Sequence, residues 1–200
     1  MSYLKHKLRQ FKEYDDIAEI GEIARRYFVM NAFDGILTMI GVLTGSYVAR
    51  VESASVVIST GLATSIAMGI SGLWGAYFTE AAERKRDLDE LENHTLTDLS
   101  ETRIGRASRV AGVIVAVVDG LAPFLSALVA LLPFFFSGSL GDIYISYYLS
   151  LGIALLSLFG LGAFLGMVSR GNFALWGLKM IGAGLLSIGL GYLLGGLEGG

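Results

Sequence analysis

Two aspartates stand where carboxylates are costly. Asp34 is the single acidic or basic residue between Tyr27 and Ala49, and Asp119 the single one between Val110 and Gly141. Charge in hydrocarbon is expensive and is retained where it binds an ion, relays a proton or meets a partner. Read as a helix N-cap, Asp34 would leave fifteen residues before Arg50, too few for the roughly 20 that cross a bilayer as a helix. Asp34 is therefore expected about seven residues, or ~10 Å, inside the membrane, and Asp119, on a span entering from the same side, about nine residues or ~13 Å past Val110. No Lys or Arg lies at that level except Lys179, and lysines so placed tend to snorkel to the headgroups. A bound cation or a proton balances the two carboxylates better.

The neighbours of Asp34 add polar groups to the same face. Asp34, Thr38, Gly41 and Gly45 fall at i, i+4, i+7 and i+11, with Asn31 about one turn earlier, so amide, carboxylate and hydroxyl share one helical stripe. Thr60, Thr64, Met68, Ser71 and Gly75 form a second small-and-polar stripe containing one thioether. Close helix packing through small residues explains much of this pattern, since Gly41/Gly45, Ser71/Gly75, Gly162/Gly166 and Gly191/Gly195 are all small-xxx-small pairs. Packing does not explain Asp34. Further along, Glu80, Glu83, Asp87, Glu90 and His94 are spaced as one acidic helix face ending in imidazole, an oxygen-rich set suited to hard or borderline divalent ions. The same residues also suit a solvated face braced at i,i+4 by Glu80 with Arg84, Lys85 with Asp89 and Arg86 with Glu90. Glu13, Asp15, Asp16, Glu19 and Glu22 could fold against that face.

The elements that must position these groups follow from composition. The 200 residues are 54% hydrophobic and 16% charged, with mean hydropathy +0.62, outside the range of a soluble domain. Five long stretches are almost free of charge, and alternation of period two is absent, which argues against a β-barrel. The fold class is an all-α integral membrane protein of five transmembrane helices, at 27–49, 54–79, 110–136, 143–169 and 173–197, within a domain 27–197. An acidic cytoplasmic loop occupies 80–109, and 1–26 reads as a cytoplasmic amphipathic segment, with Leu4, Leu8, Phe11, Ile17, Ile20 and Ala24 at helical spacing. Fourteen of the fifteen Lys and Arg fall on one side under this plan, Arg50 being the exception. Hence the N-terminus is expected in the cytoplasm and the C-terminus outside.

Other features narrow the chemistry. Without cysteine there is no disulfide, thiolate metal site or thiol nucleophile, and a net charge of -3 gives no sign of nucleic acid. Gly160/Gly162 and Gly182/Gly184 imitate the start of a nucleotide fingerprint, but they follow no strand. His6 reads as a surface residue. Trp74, Trp176, Tyr144, Tyr147 and Tyr148 read as interface anchors, and Pro123 with Pro133, after Asp119-Gly120, suggests a kinked or locally unwound third span. No Ser-His-Asp set, metallohydrolase motif or Walker loop appears, so no enzyme is expected.

From Asn31 through Asp34, Thr38 and Gly41 to Gly45, and again from Ala67-Met68-Gly69 through Gly72 to Glu80 and Glu83, the chain resembles the vacuolar iron transporter family. The stretch Leu178-Lys179-Met180-Ile181-Gly182 is similar to the family's last helix, so the likeness runs through all five spans. The resemblance implies a homodimer in the lipid bilayer that moves Fe2+ or Mn2+ out of the cytoplasm in exchange for protons, along a path at the subunit interface. It implies that Asp34 is the membrane-embedded metal-binding aspartate and Met68 the methionine of span two, with Glu80 and Glu83 near the acidic cytoplasmic end. Three departures stand out. Thr60 occupies the place of a family glutamate, Met68 to Glu80 is one residue longer than the family spacing, and the loop is too short for the plant members' three-helix metal-binding domain. Asp119 has no family counterpart and is expected to bind the ion or carry the counter-proton. No permanently bound cofactor is expected, the metal being the transported ion. The short loop points to a prokaryotic plasma membrane. Transport of another cation or a small amine, and a non-transporting membrane assembly role, remain alternatives. Competition between metals separates the first of these, and dimer loss without loss of metal affinity separates the second.

Overall fold

A computed structural model describes residues 14–15 and 19–198. The expected amphipathic pattern of Leu4, Leu8, Phe11 and Ile17 lies outside these residues, as do His6, Glu13 and Asp16. Every regular element among the described residues is helical: α1 (Ile20–Val48), α2 (Ala54–Thr95), α3 (Arg103–Phe135), the single turn α4 (Ser137–Leu140), α5 (Ile143–Val168) and α6 (Phe173–Glu198). Five of them are long and apolar enough to cross a membrane. The 26 residues of α5 reach about 39 Å at 1.5 Å per residue, more than the ~30 Å hydrocarbon core.

Side chains at the ends account for where the helices start and stop. The Asp15 carboxylate accepts the Gly21 N–H at 2.6 Å in the first turn of α1, which also holds Glu22, so negative charge meets the helix's positive end. Asp142 caps α5 by accepting from the Tyr144 N–H at 2.9 Å, and Asn172 caps α6 through the N–H groups of Ala174 and Leu175 at 3.0 and 3.2 Å. At the close of α5 the Gly171 N–H reaches the Gly166 carbonyl at 2.8 Å while Arg170 takes φ 53°, the left-handed stop common at helix ends. Of the kink or local unwinding expected in the third span, the unwinding is absent. α3 is continuous through Asp119, Gly120, Pro123 and Pro133, with no unwound turn, and the Ser126 hydroxyl donates to the Pro123 carbonyl at 3.1 Å.

The chain divides into two compact units. The first joins the described part of Met1–Phe28 to Ile70–Leu121. Its core is small: Ala107, Ala111 and Val115 recur every four residues along α3 and are fully buried, with Ile20 and Ala76 nearly so. The second joins Val29–Gly69 to Ala122–Gly200, and its core gathers Ile36, Met39, Ile40 and Leu43 of α1, Val57 of α2, Leu131 and Phe134 of α3, and Tyr147 and Leu158 of α5.

Within the second unit α5 and α6 pack back to back through glycine. A Cβ on Gly162 would come within 2.7 Å of the Gly177 Cα, and one on Gly166 within 2.6 Å of the Phe173 Cα. Such contact between backbones is available only without side chains and replaces hydrophobic driving force where lipid is the solvent. The outward faces are apolar, as lipid requires, with Leu156 on α5 and Leu186 on α6 at 69% and 65% exposure.

Candidate functional site

The Asp34 stripe is on the outside of the chain. Asp34, Thr38, Gly41 and Gly45 are all exposed and Asn31 is half-buried, while Ile36, Met39, Ile40 and Leu43 on the opposite side of α1 are buried. A cavity of about 600 Å³ opens beside the stripe, lined by Gly41, Gly45 and Val48 of α1 with Ser187, Gly191 and Gly195 of α6. Lys179 lies over the Trp176 ring, its Nζ 5.4 Å from the centroid, a cation–π arrangement. The second stripe is mixed. Thr60 and Ser71 are exposed, Met68 and Thr64 half-buried, and the Thr64 hydroxyl is spent on the Thr60 carbonyl at 2.9 Å.

The glycine pairs separate by role. Gly162 and Gly166 abut α6, and Gly191 and Gly195 abut Thr44 and Val48 of α1, whereas a Cβ on Gly41, Gly45 or Gly75 would meet nothing within 4 Å. Among the described residues, the hydroxyls of Thr44, Ser146 and Ser150 in the second unit are buried without a hydrogen-bond partner.

Asp119 belongs to the first unit, only 7% exposed. Gly72 faces it so closely that a Cβ there would lie 2.8 Å from the Asp119 carbonyl oxygen and 3.2 Å from Oδ2. In the same unit the Tyr27 hydroxyl donates to Glu80 Oε1 at 3.1 Å, and the Arg84 Nε donates to Glu80 Oε2 at 3.0 Å. Both oxygens of Glu80 are thus engaged. The Glu80 and Arg84 side chains are only 14% and 15% exposed, and losing one partner of so buried a pair strands the other charge. The rest of the acidic face is solvated. α2 runs unbroken to Thr95, and Glu83, Asp87, Glu90 and His94 are exposed along it. Glu80 with Arg84 forms the expected i,i+4 brace, but Arg86 turns to Glu83 at 3.7 Å. Among the described residues no three His, Asp or Glu side chains gather to hold a metal.

Sequence reasoning missed a tyrosine cluster in the second unit. Tyr47 of α1 meets Tyr144, Tyr147, Tyr148 and Tyr192 with ring centroids 5.5 to 5.9 Å apart, and its hydroxyl bonds that of Tyr148 at 2.9 Å. Tyr147 is not an interface anchor: it is fully buried and donates to the Val51 carbonyl at 2.9 Å. Its hydroxyl fastens the α1–α2 turn, where Arg50 has φ 55°. Sequence singles out Tyr144, Tyr147 and Tyr148, but nothing in its spacing ties them to Tyr47, which lies 101 residues before Tyr148.

No protein-family model matches the chain. It is similar to the uncharacterized protein MJ0645 of the archaeon Methanocaldococcus jannaschii, with 32% identity over 173 residues covering 85% of this chain and 87% of that one.

Proposed function

Because the chain belongs to the same family as this archaeal protein, whose name carries no activity, its function has to come from its own residues, and we propose that it is a divalent transition-metal transporter. It moves Fe2+ or Mn2+ out of the cytoplasm in exchange for protons, as a homodimer with its N-terminus in the cytoplasm and its C-terminus outside. The exposure of Asp34 on a helix long enough to span the membrane carries the reading. A carboxylate facing lipid is strongly disfavoured, so Asp34 needs a second copy, a bound cation or both. One chain offers Asp34 and Met68 as donors, fewer than a divalent transition ion takes, and a two-fold pair doubles the set. Carboxylate with thioether suits an ion of intermediate softness. Asn31 and Thr38 add neutral oxygens beside Asp34.

Asp119 binds the ion or carries the counter-proton from its buried place beside Gly72. Glu83, Asp87, Glu90 and His94 gather cations on the solvated face of α2, and Glu80, tied to Tyr27 and Arg84, holds that helix in place until an ion displaces one partner. The glycine-lined cavity of Gly41, Gly45, Gly191 and Gly195 also favours a second reading, an assembly protein whose stripe serves contact alone. Proteoliposome flux of Fe2+ and Mn2+, with and without a pH gradient, decides between them. Asp34→Asn is expected to abolish gradient-driven flux with folding intact, and Asp119→Asn to abolish it or uncouple it from protons. Flux in Asp34→Asn equal to wild type overturns the proposed mechanism.

A further inference from the structure

The first unit holds a pocket whose Lys85 and Arg109 the metal reading does not use. About 410 Å³ in volume, it lies between α2 and α3 and is lined by Tyr77, Ala81, Arg84, Lys85 and Leu88 on one side and by Gly105, Ser108, Arg109, Gly112 and Val113 on the other. Its two ends differ in chemistry. Tyr77 and Val113 lie within the charge-free stretches, while Lys85 and Arg109 lie in the charged segment joining them. Tyr77 to Lys85 is eight residues, about 12 Å along the helix axis, so the pocket crosses the level at which hydrocarbon gives way to headgroups.

Its three cations are not equally free. Arg84 is neutralised by Glu80 at 3.0 Å. Arg109 makes only a long contact with Glu101 at 3.8 Å, with side chains 59% and 84% exposed, and exposed pairs of this kind contribute little. Lys85 is exposed and makes no ion pair among the described residues. Lys85, Arg109 with its one weak exposed pair, and the Ser108 hydroxyl therefore rim a site whose walls toward the membrane are apolar. Gly112 keeps the α3 wall low: a Cβ there would already touch Arg84 Cδ at 3.7 Å.

We propose that this pocket binds an anionic phospholipid, its phosphate between Lys85 and Arg109 and an acyl chain along Tyr77, Ala81 and Val113. A soluble anion would use the cations and leave the apolar wall wet, and a zwitterionic lipid would use the wall and bring no net charge to the cations. A basic pocket between membrane helices at the headgroup level suits an anionic lipid on both counts. The inference is independent of metal transport and requires only that α2 and α3 span the membrane.

The test is titration of the purified full-length protein in detergent with phosphatidylglycerol, phosphatidylcholine or inorganic phosphate, read as apparent affinity by native mass spectrometry and as thermal protection. Phosphatidylglycerol is expected to bind and protect wild type, and neither phosphatidylcholine nor phosphate to do so. Each cation near a membrane surface is worth about fivefold in attraction to anionic lipid, so Lys85→Gln with Arg109→Gln is expected to weaken binding roughly 25-fold. Both side chains are exposed, and Arg84 is left in place to hold Glu80. A second variant, Val113→Trp at a half-exposed position, fills the acyl wall without touching charge and is expected to reduce phosphatidylglycerol binding as well. Equal binding of phosphatidylglycerol by wild type and the double glutamine variant overturns the proposal, and so does protection by inorganic phosphate as strong as that by the lipid.

Discussion

Gly72 and Gly75 lie one turn apart on α2, and the two have opposite roles. A side chain at Gly72 would press on the backbone carbonyl and carboxylate of Asp119, whereas one at Gly75 would meet nothing within 4 Å. Gly72→Ala is expected to destabilise the protein by about 1–3 kcal/mol, the usual cost of overpacking against backbone that cannot yield. Gly75→Ala is expected to be neutral or to stabilise by up to ~1 kcal/mol through helix propensity. Unfolding of both variants in the same detergent checks the pair, and equal effects would remove the distinction. Sequence spacing marks both glycines as small residues on a helix but does not say which one faces a carboxylate, because Asp119 is 47 residues away in the chain.

At the scale of elements, the helix ends show where local signals were readable and where they were not. Asp142 and Asn172 precede α5 and α6 and cap them through side-chain oxygens, residue types favoured at that position. The end of α2 has no such sign. Its stop is Leu96, with φ 53° and 92% exposure, where glycine would be the ordinary choice. A left-handed conformation costs a non-glycine residue about 1–2 kcal/mol, offset in part by the backbone entropy that glycine loses. Since the Leu96 side chain buries almost nothing, Leu96→Gly is expected to stabilise the α2–α3 connection by up to about 1 kcal/mol. Hydrogen exchange at Leu99, whose N–H is held by Glu92 at 2.7 Å, should slow; unchanged or faster exchange would mean that the turn carries no strain.

For the whole molecule the question is what covers the exposed face of α1. A chain without cysteine allows single cysteines to report neighbours directly. If two copies meet along the Asp34 stripe, Thr38→Cys is expected to form a disulfide-linked dimer under mild oxidation, since a bond requires Cα atoms about 4.4–6.8 Å apart. Leu186→Cys, on the exposed face of α6, is expected to remain monomeric under the same conditions. Cross-linking at both positions, or at neither, would count against a dimer built on this stripe.

Amino-acid sequence alone determined the helical class, the five long apolar elements and the sharing of one α1 face by Asp34, Thr38, Gly41 and Gly45, because hydropathy and the 3.6-residue period are local properties of the chain. Tertiary structure decided which way that face turns, which glycines are packed and which are open, and that Tyr27 and Arg84 occupy both oxygens of Glu80. It also decided that Tyr47 is the hub of a tyrosine cluster and that Lys85 and Arg109 rim one pocket. These are contacts between residues far apart in the chain, set by how helices pack against one another, and the spacing within any single helix carries no record of them.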